Sequence, residues 1–263
     1  MGPVGNSSFA RISAAFFKGC ISQLHPRMLV LLILPFLIAL VLWGLSAWLF
    51  WDPLVIWLKD SWLLSSRVVS FLGESTKPLG LSDLGRGLAS VVALLLLFPI
   101  VIATGMVAIA VFAMSAVLRF LSARHFPDVL RRGSFSVWAN LLNAVLSVGV
   151  FVIGYLASLP LWLIPPLALI VPWLWWGWLT ARIMRFDSLV EHAAPKERNA
   201  LIARYRQEYF VLGLAVSALN YVPPLFLITP VLSALVFGHF SLSRLAEYRL
   251  EHPESSATLL DRP

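Results

Sequence analysis

The sequence predicts an all-α integral membrane protein. It has two long transmembrane helices and two proline-broken helical hairpins, at least the second of which penetrates the bilayer only partly. Three observations predict this. Hydrophobic residues make up 59% of the 263-residue chain and charged residues 13%; soluble domains are about 45–50% apolar and about 25% charged. Residues 28–50, 88–118, 137–180 and 209–240 contain no Asp, Glu, Lys or Arg. Pro-Pro-Leu-x-Leu-Ile-x-Pro is spelt twice, at Pro165 to Pro172 and Pro223 to Pro230, inside the last two of those runs. No polar stretch is long enough for a soluble domain, so residues 1–263 read as one membrane domain.

Residues 9–24, FARISAAFFKGCISQL, read as an amphipathic helix in the membrane interface. Phe9, Ile12, Phe16, Phe17, Cys20, Ile21 and Leu24 form its apolar face, and Arg11, Lys18 and Ser22 lie opposite. Packing on the protein's own charged face is an equal alternative. Residues 28–50 form the first spanning helix, about 34 Å long, enough to cross a core of about 30 Å. The apolar run starts too late and is too long for a signal-peptide core. Residues 51–87 are amphipathic, with Trp51, Trp57 and Trp62 among balanced charges, and suit a headgroup-level connection. Residues 88–118 form the second spanning helix, about 46 Å if wholly helical, which requires tilt or projection.

Charge sets the topology. The N-terminal segment carries Arg11, Lys18 and Arg27 with no acid before Asp52. Residues 119–136 carry Arg119, Arg124, Arg131 and Arg132 against Asp128, and residues 182–208 are again basic in excess. The positive-inside rule places these segments on the cytoplasmic side and 51–87 outside. The runs 137–180 and 209–240 then start and end on the same side, so each is a hairpin. Pro165-Pro166 and Pro223-Pro224 mark the turns. The first leg of the second hairpin, Phe210 to Leu219, is about 15 Å as a helix, half a membrane. Freed backbone groups at such a tip need shielding by protein, because each would cost several kcal/mol in lipid. Residues 244–263 form a cytoplasmic tail.

Several functions are excluded or disfavoured. The net charge of +7 sits at the flanks of apolar runs, as topology determinants do, and no nucleic-acid partner is expected. One cysteine, Cys20, allows neither a disulfide framework nor a cysteine metal site. His25, His125, His192, His239 and His252 are scattered, without metal-ligand spacing. There is no phosphate loop or nucleophile elbow. The chain reads as no enzyme, with no cofactor and no metal. Asn220 and Thr229 sit where a broken helix offers free amides and a dipole end to an anion. Asn220 as a turn residue bonding its own backbone is the alternative.

Three stretches carry a family resemblance. They are FFKGCISQLHPRMLVLLILPF, PKERNALIARYRQEYFVLGLAVSALNYVPPLFLITP and SRLAEYRLEH. In order and layout they resemble the CysZ sulfate-permease family and its etoposide-induced relatives. The resemblance implies two spanning helices, two partly penetrating hairpins and a homo-oligomer in a bacterial inner membrane. It also implies a small oxyanion such as sulfate as the partner beside the lipid bilayer. A membrane scaffold or assembly factor on the same fold is the alternative. Where sulfate-moving members carry paired arginines before the first spanning helix, this chain has Leu29-Val30 and only Arg27 nearby. Their glutamate-bearing stretch after the second helix is here MSAVLRFLSARHF, with Arg119 and Arg124. The candidate anion contacts are therefore Arg27, Arg124, Asn220 and Thr229.

Overall fold

The computed structural model describes residues 4–60, 84–133 and 137–252. The regular elements among them are helices: α1 (Val4–Gln23), α2 (Pro26–Asp60), α3 (Leu84–Arg124), α4 (Val137–Ala157), α5 (Pro165–Val190), α6 (Pro195–Arg204), α7 (Arg206–Ala218) and α8 (Thr229–Glu251). Short 3-10 segments lie at Leu159–Leu163, Leu219–Tyr221 and Leu225–Leu227. The chain divides into two compact units, Ile33–Ile109 and the remainder.

Most of α2 and α3 make up the smaller unit. Gly105 lies so close to Phe36 that an added Cβ would sit 2.3 Å from the ring. Trp43 donates its indole N–H to the Thr104 hydroxyl at 3.0 Å. Val55, Leu58, Ala89 and Ala93 close a buried cluster at the far end. The outward faces are apolar: Leu37, Ile38, Val41 and Leu45 are exposed, and Trp48 is 79% exposed. A surface of this kind is stable in hydrocarbon rather than in water. α2, α3 and α5 are each long and apolar enough to cross a membrane.

Both long helices outrun the expected spans. α2 has 35 residues and α3 has 41, about 52 and 62 Å. Charge alone does not end a helix, and Asp52 and Arg119 simply continue the turns. α2 bends at Phe50 (φ −115°, ψ 19°). Pro53 explains the bend: it lacks an amide hydrogen, and its ring crowds the carbonyl one turn back. Residues 61–83, the centre of the expected 51–87 connection, lie outside the described residues.

The larger unit is built around α8. Val231 to Leu242 are all buried, the mark of a helix surrounded by protein. α5 and α7 pack backbone to backbone, with Gly213 against the Gly177 carbonyl, where a Cβ would sit at 2.3 Å. Such small-residue contacts let helices approach without a side-chain layer. α1 packs on α8 through Gly19, where a Cβ would meet Val236 at 2.5 Å. Ser241 of α8 bonds the Tyr209 hydroxyl at 2.9 Å and the Ser188 hydroxyl at 2.7 Å, joining α5, α7 and α8.

The apolar face of α1 divides in two. Ile12, Phe16 and Cys20 pack against the core formed by Tyr209, Leu212, Val236 and Phe240. Phe9 and Phe17 point away, 72% and 68% exposed, as do Ile21 and Leu24. The basic 182–208 segment is mostly helix: α5 runs to Val190, and α6 and α7 follow with breaks only at 191–194 and Tyr205. Arg, Lys and Glu are good helix formers, so polarity there did not mean loop.

The two proline doublets act differently. Pro165 and Pro166 open α5, where a missing N–H costs nothing; the turn itself is Ser158 to Ile164. Pro223-Pro224 stand inside the second turn, joined by a cis peptide. Where shielding by protein was expected, the chain's own fold leaves Asn220 to Pro224 exposed. Its backbone is satisfied from within instead. Val222, Leu225, Leu227 and Ile228 donate to Leu219, Val222, Pro224 and Leu225 at 2.7–3.1 Å, and the prolines have no N–H to satisfy.

The charged end is locked by Arg249. Its guanidinium donates to both Glu197 carboxylate oxygens, at 3.1 and 3.0 Å. It also donates to the carbonyls of Leu130 at 2.8 Å and His192 at 2.7 Å. Glu197 reaches back to the Ala194 amide at 2.9 Å, capping α6. The Glu197 and Arg249 side chains are 5% and 12% exposed. Burial pushes the Glu197 carboxyl up, but the Arg249 and Ala194 hydrogen bonds outweigh it and hold it below the usual range.

His192 is fully buried beside this lock, and burial followed by the Arg131 and Arg249 cations lowers its pKa to about 4. A depressed histidine stabilises the fold fully above its ordinary 6.5, and that stability is lost as pH falls toward 4. The fold should therefore lose about 2 kcal/mol between pH 7.5 and 5 at this site. Glu197 titrates below that window. Thermal unfolding of the purified protein from pH 7.5 to 5 should fall in midpoint, and His192→Leu should flatten the slope. An unchanged slope in the variant would remove His192 from the account.

Candidate anion-facing cavity

One face of α1 and one face of α8 enclose a cavity of about 350 Å³ beside the turn that follows α3. α1 contributes Arg11, Ala14, Ala15 and Lys18, spaced to lie on one side of a helix. The alanines leave the room. α8 contributes His239, Ser243 and Glu247 at four-residue intervals, with Arg244 beside them. Phe126 closes one end.

The cavity lining holds three cationic side chains, Arg11, Lys18 and Arg244, and one carboxylate, Glu247. Arg11 bonds Ser8 and Glu208, and Arg244 bonds Glu247. Lys18 has no carboxylate partner within ion-pair distance among the described residues. Three buried nitrogens of lining residues meet no partner: Arg11 Nε, Arg244 Nε and His239 Nδ1. The other His239 nitrogen, Nε2, lies 2.9 Å from the Ser22 hydroxyl, which positions the ring.

A ladder of ring contacts runs from His239 of this cavity to His25. His239 and His125 stand 5.1 Å apart, His125 and Phe120 6.2 Å, Phe120 and His25 4.9 Å. Arg124 donates to His25 Nε2 at 2.8 Å. The Arg27 amide lies 3.3 Å from His25 Nδ1. A neutral imidazole has one acceptor nitrogen, and the shorter charge-assisted contact takes it; the Arg27 amide is then a neighbour, not a donor. Burial, then the Arg124 and Lys18 cations, lower the His125 pKa.

The four sequence-predicted contacts do not form one site. Arg27 and Arg124 are both exposed; the Arg124 guanidinium bonds His25, one end of the ladder, and only the backbone amide of Arg27 lies near that ring. Asn220 is exposed in the second hairpin tip, and Thr229 begins α8. His239 follows Thr229 by about 15 Å of helix. Thr229 is buried and its hydroxyl donates to the Leu225 carbonyl at 2.9 Å. That hydrogen is already used locally, so Thr229 has no hydroxyl donor left for an anion. Sequence reading placed Arg11 and Lys18 on the polar side of α1 but assigned them no ligand. It missed His239 and Arg244. The signal for His239 was an ionisable residue within an otherwise uncharged run. Among the described residues no group of His, Cys, Asp or Glu could hold a metal ion.

No curated protein and no solved structure matches the chain. A family model described as sulfate transporter CysZ/etoposide-induced protein 2.4 matches residues 15–230, well over half of the chain. The match covers α1 from Ala15, both long helices, both hairpins and the first residues of α8. This is an all-α membrane protein that belongs to the CysZ/etoposide-induced protein family.

Proposed function

We propose that the protein passes a small tetrahedral oxyanion, sulfate or a close analogue, across a bacterial inner membrane. The observation that carries this reading is the cavity between α1 and α8, with the cationic side chains of Arg11, Lys18 and Arg244 in its lining. Guanidinium and ammonium groups gathered around a small volume can bind an oxyanion through charge-assisted hydrogen bonds. Membership of a family described as a sulfate transporter supports the same substrate class. Arg124 and Arg27, at the outer end of the ring ladder, form the mouth in this reading. Conduction needs binding weak enough to release.

In this reading both termini and the arginine-rich segments face the cytoplasm. α2 and α3 cross the bilayer. The second hairpin enters from the cytoplasmic side and turns within the bilayer, since the uncharged part of α7, Tyr209 to Ala218, is only about 15 Å long. The chain works as a homo-oligomer, whose neighbouring copies cover the exposed Tyr221 and Val222 at the tip.

Purified protein in liposomes should take up labelled sulfate. Lys18→Gln should reduce saturable uptake about tenfold or more, the loss expected for one charge-assisted contact of about 1.5–3 kcal/mol. Its exposed position on α1 should leave expression and oligomer size unchanged. Absence of flux of sulfate, thiosulfate, selenate and phosphate in the wild type would replace the permease by a scaffold. Flux insensitive to Lys18→Gln, with Arg27→Gln or Arg124→Gln effective, would move the site from the cavity to the mouth.

Orientation is tested separately. A cysteine at exposed Lys196, in a Cys20→Ser background, should react with an impermeant maleimide only after cells are permeabilised. Labelling in intact cells would invert the topology.

A further inference from the structure

We infer that the groove between α1 and the start of α7 binds a phospholipid, with a polar cavity for the phosphodiester headgroup and an adjoining apolar cavity for an acyl chain. The polar cavity, about 600 Å³, is lined by Ser8, Arg11, Arg204, Tyr205, Arg206 and Glu208. The apolar one, also about 600 Å³, is lined by Phe9, Phe16, Phe17 and Ala215. Ile12 belongs to both, and Val211 of the first lies one helical turn from Ala215 of the second. One molecule with a charged end and a hydrocarbon end fits that pair. A free oxyanion would leave the second cavity unexplained.

Charge selects the headgroup. Three guanidiniums stand around the polar cavity. Arg11 is engaged by Glu208 and Arg204 by Glu251. Arg206 is exposed and has no carboxylate partner within ion-pair distance among the described residues. The first amides of α7 are free of intrahelical acceptors. Together they suit a phosphate. One further group refines the match. Glu208 is 8% exposed, and its Oε2 is buried without a partner. A buried carboxylate oxygen requires a donor. The headgroup should therefore carry an N–H or O–H beyond its phosphate, as ethanolamine and glycerol do and choline does not.

Location agrees. Phe9 and Phe17 stand exposed beside the groove, and the chain passes from α1 into the spanning α2 within two residues. That places the groove at the headgroup level, where an arginine and a phosphate meet without full desolvation. A lipid there would pin α1 against α7, next to the anion-facing cavity through their shared Arg11.

Native mass spectrometry of the purified oligomer, titrated with phosphatidylethanolamine or phosphatidylcholine of identical chains, tests this. Ethanolamine lipid should be retained about tenfold more strongly than choline lipid. Arg204→Gln with Arg206→Gln should remove about tenfold or more of that affinity. Ala215→Trp, which fills the apolar cavity and leaves the arginines untouched, should weaken retention of both lipids. Equal retention of the two lipids by the wild type would overturn the site. So would retention unchanged in both variants. Displacement of the bound lipid by millimolar inorganic phosphate would assign the cavity to a free oxyanion instead.

Discussion

Arg249 holds four pieces of chain with one guanidinium. Its donors reach Glu197 on α6, the carbonyl of His192 after α5, and the carbonyl of Leu130 after α3, while its own backbone belongs to α8. A planar fork of donors can satisfy such a set of acceptors, and a lysine ammonium could not reach them in the same geometry. The pair is nearly dry, so removing one partner would leave a buried charge uncompensated at a cost of about 3–5 kcal/mol. Burial, then the Arg131 cation and this same Arg249, lower the pKa of His192.

That lock determines where α8 ends, and α8 determines much of the rest. Its buried run from Val231 to Leu242 is the surface on which α1, α5 and α7 settle. Glycines at 19, 177 and 213 let these helices approach until backbone meets side chain or backbone. The cavity between α1 and α8 is then a consequence of size. Ala14 and Ala15 face α8 where larger residues would have filled the space. The lining is cationic because Arg11 and Lys18 share one face of α1 and Arg244 lies within the last turns of α8.

The helical membrane architecture was legible because hydrophobic run length and charge placement are one-dimensional signals. The two long helices and the two turns near the proline doublets could be read that way. The Phe50 bend could not be placed, although Pro53 was in view, since a proline inside a membrane helix may or may not bend it. The ends of α2 and α5 were misjudged for another reason: charged residues at the bilayer edge continue a helix as readily as they leave it. The second tip was expected to need a protein shield; its prolines and 3-10 hydrogen bonds supply most of the satisfaction locally. Arg27 and Arg124 stood out in the sequence by their charge; the contact of the Arg124 guanidinium with His25 is a long-range pairing that charge alone does not reveal. The local bond from the Thr229 hydroxyl to the Leu225 carbonyl leaves no trace in sequence. The cavity itself joins residues near 11 and near 244, a long-range pairing that spacing along the chain does not encode.

The central claim is that the Glu197–Arg249 contact organises the charged end and, through α8, the cavity beside it. A double-mutant cycle with Glu197→Gln, Arg249→Met and the double variant, read by thermal unfolding of the purified protein, tests it most directly. Residues in one buried hydrogen-bonded pair should show a coupling energy of about 2–3 kcal/mol, with the double variant less unstable than the two single losses combined. Strictly additive losses, with coupling below about 0.5 kcal/mol, would show that the two side chains act independently and would contradict the account.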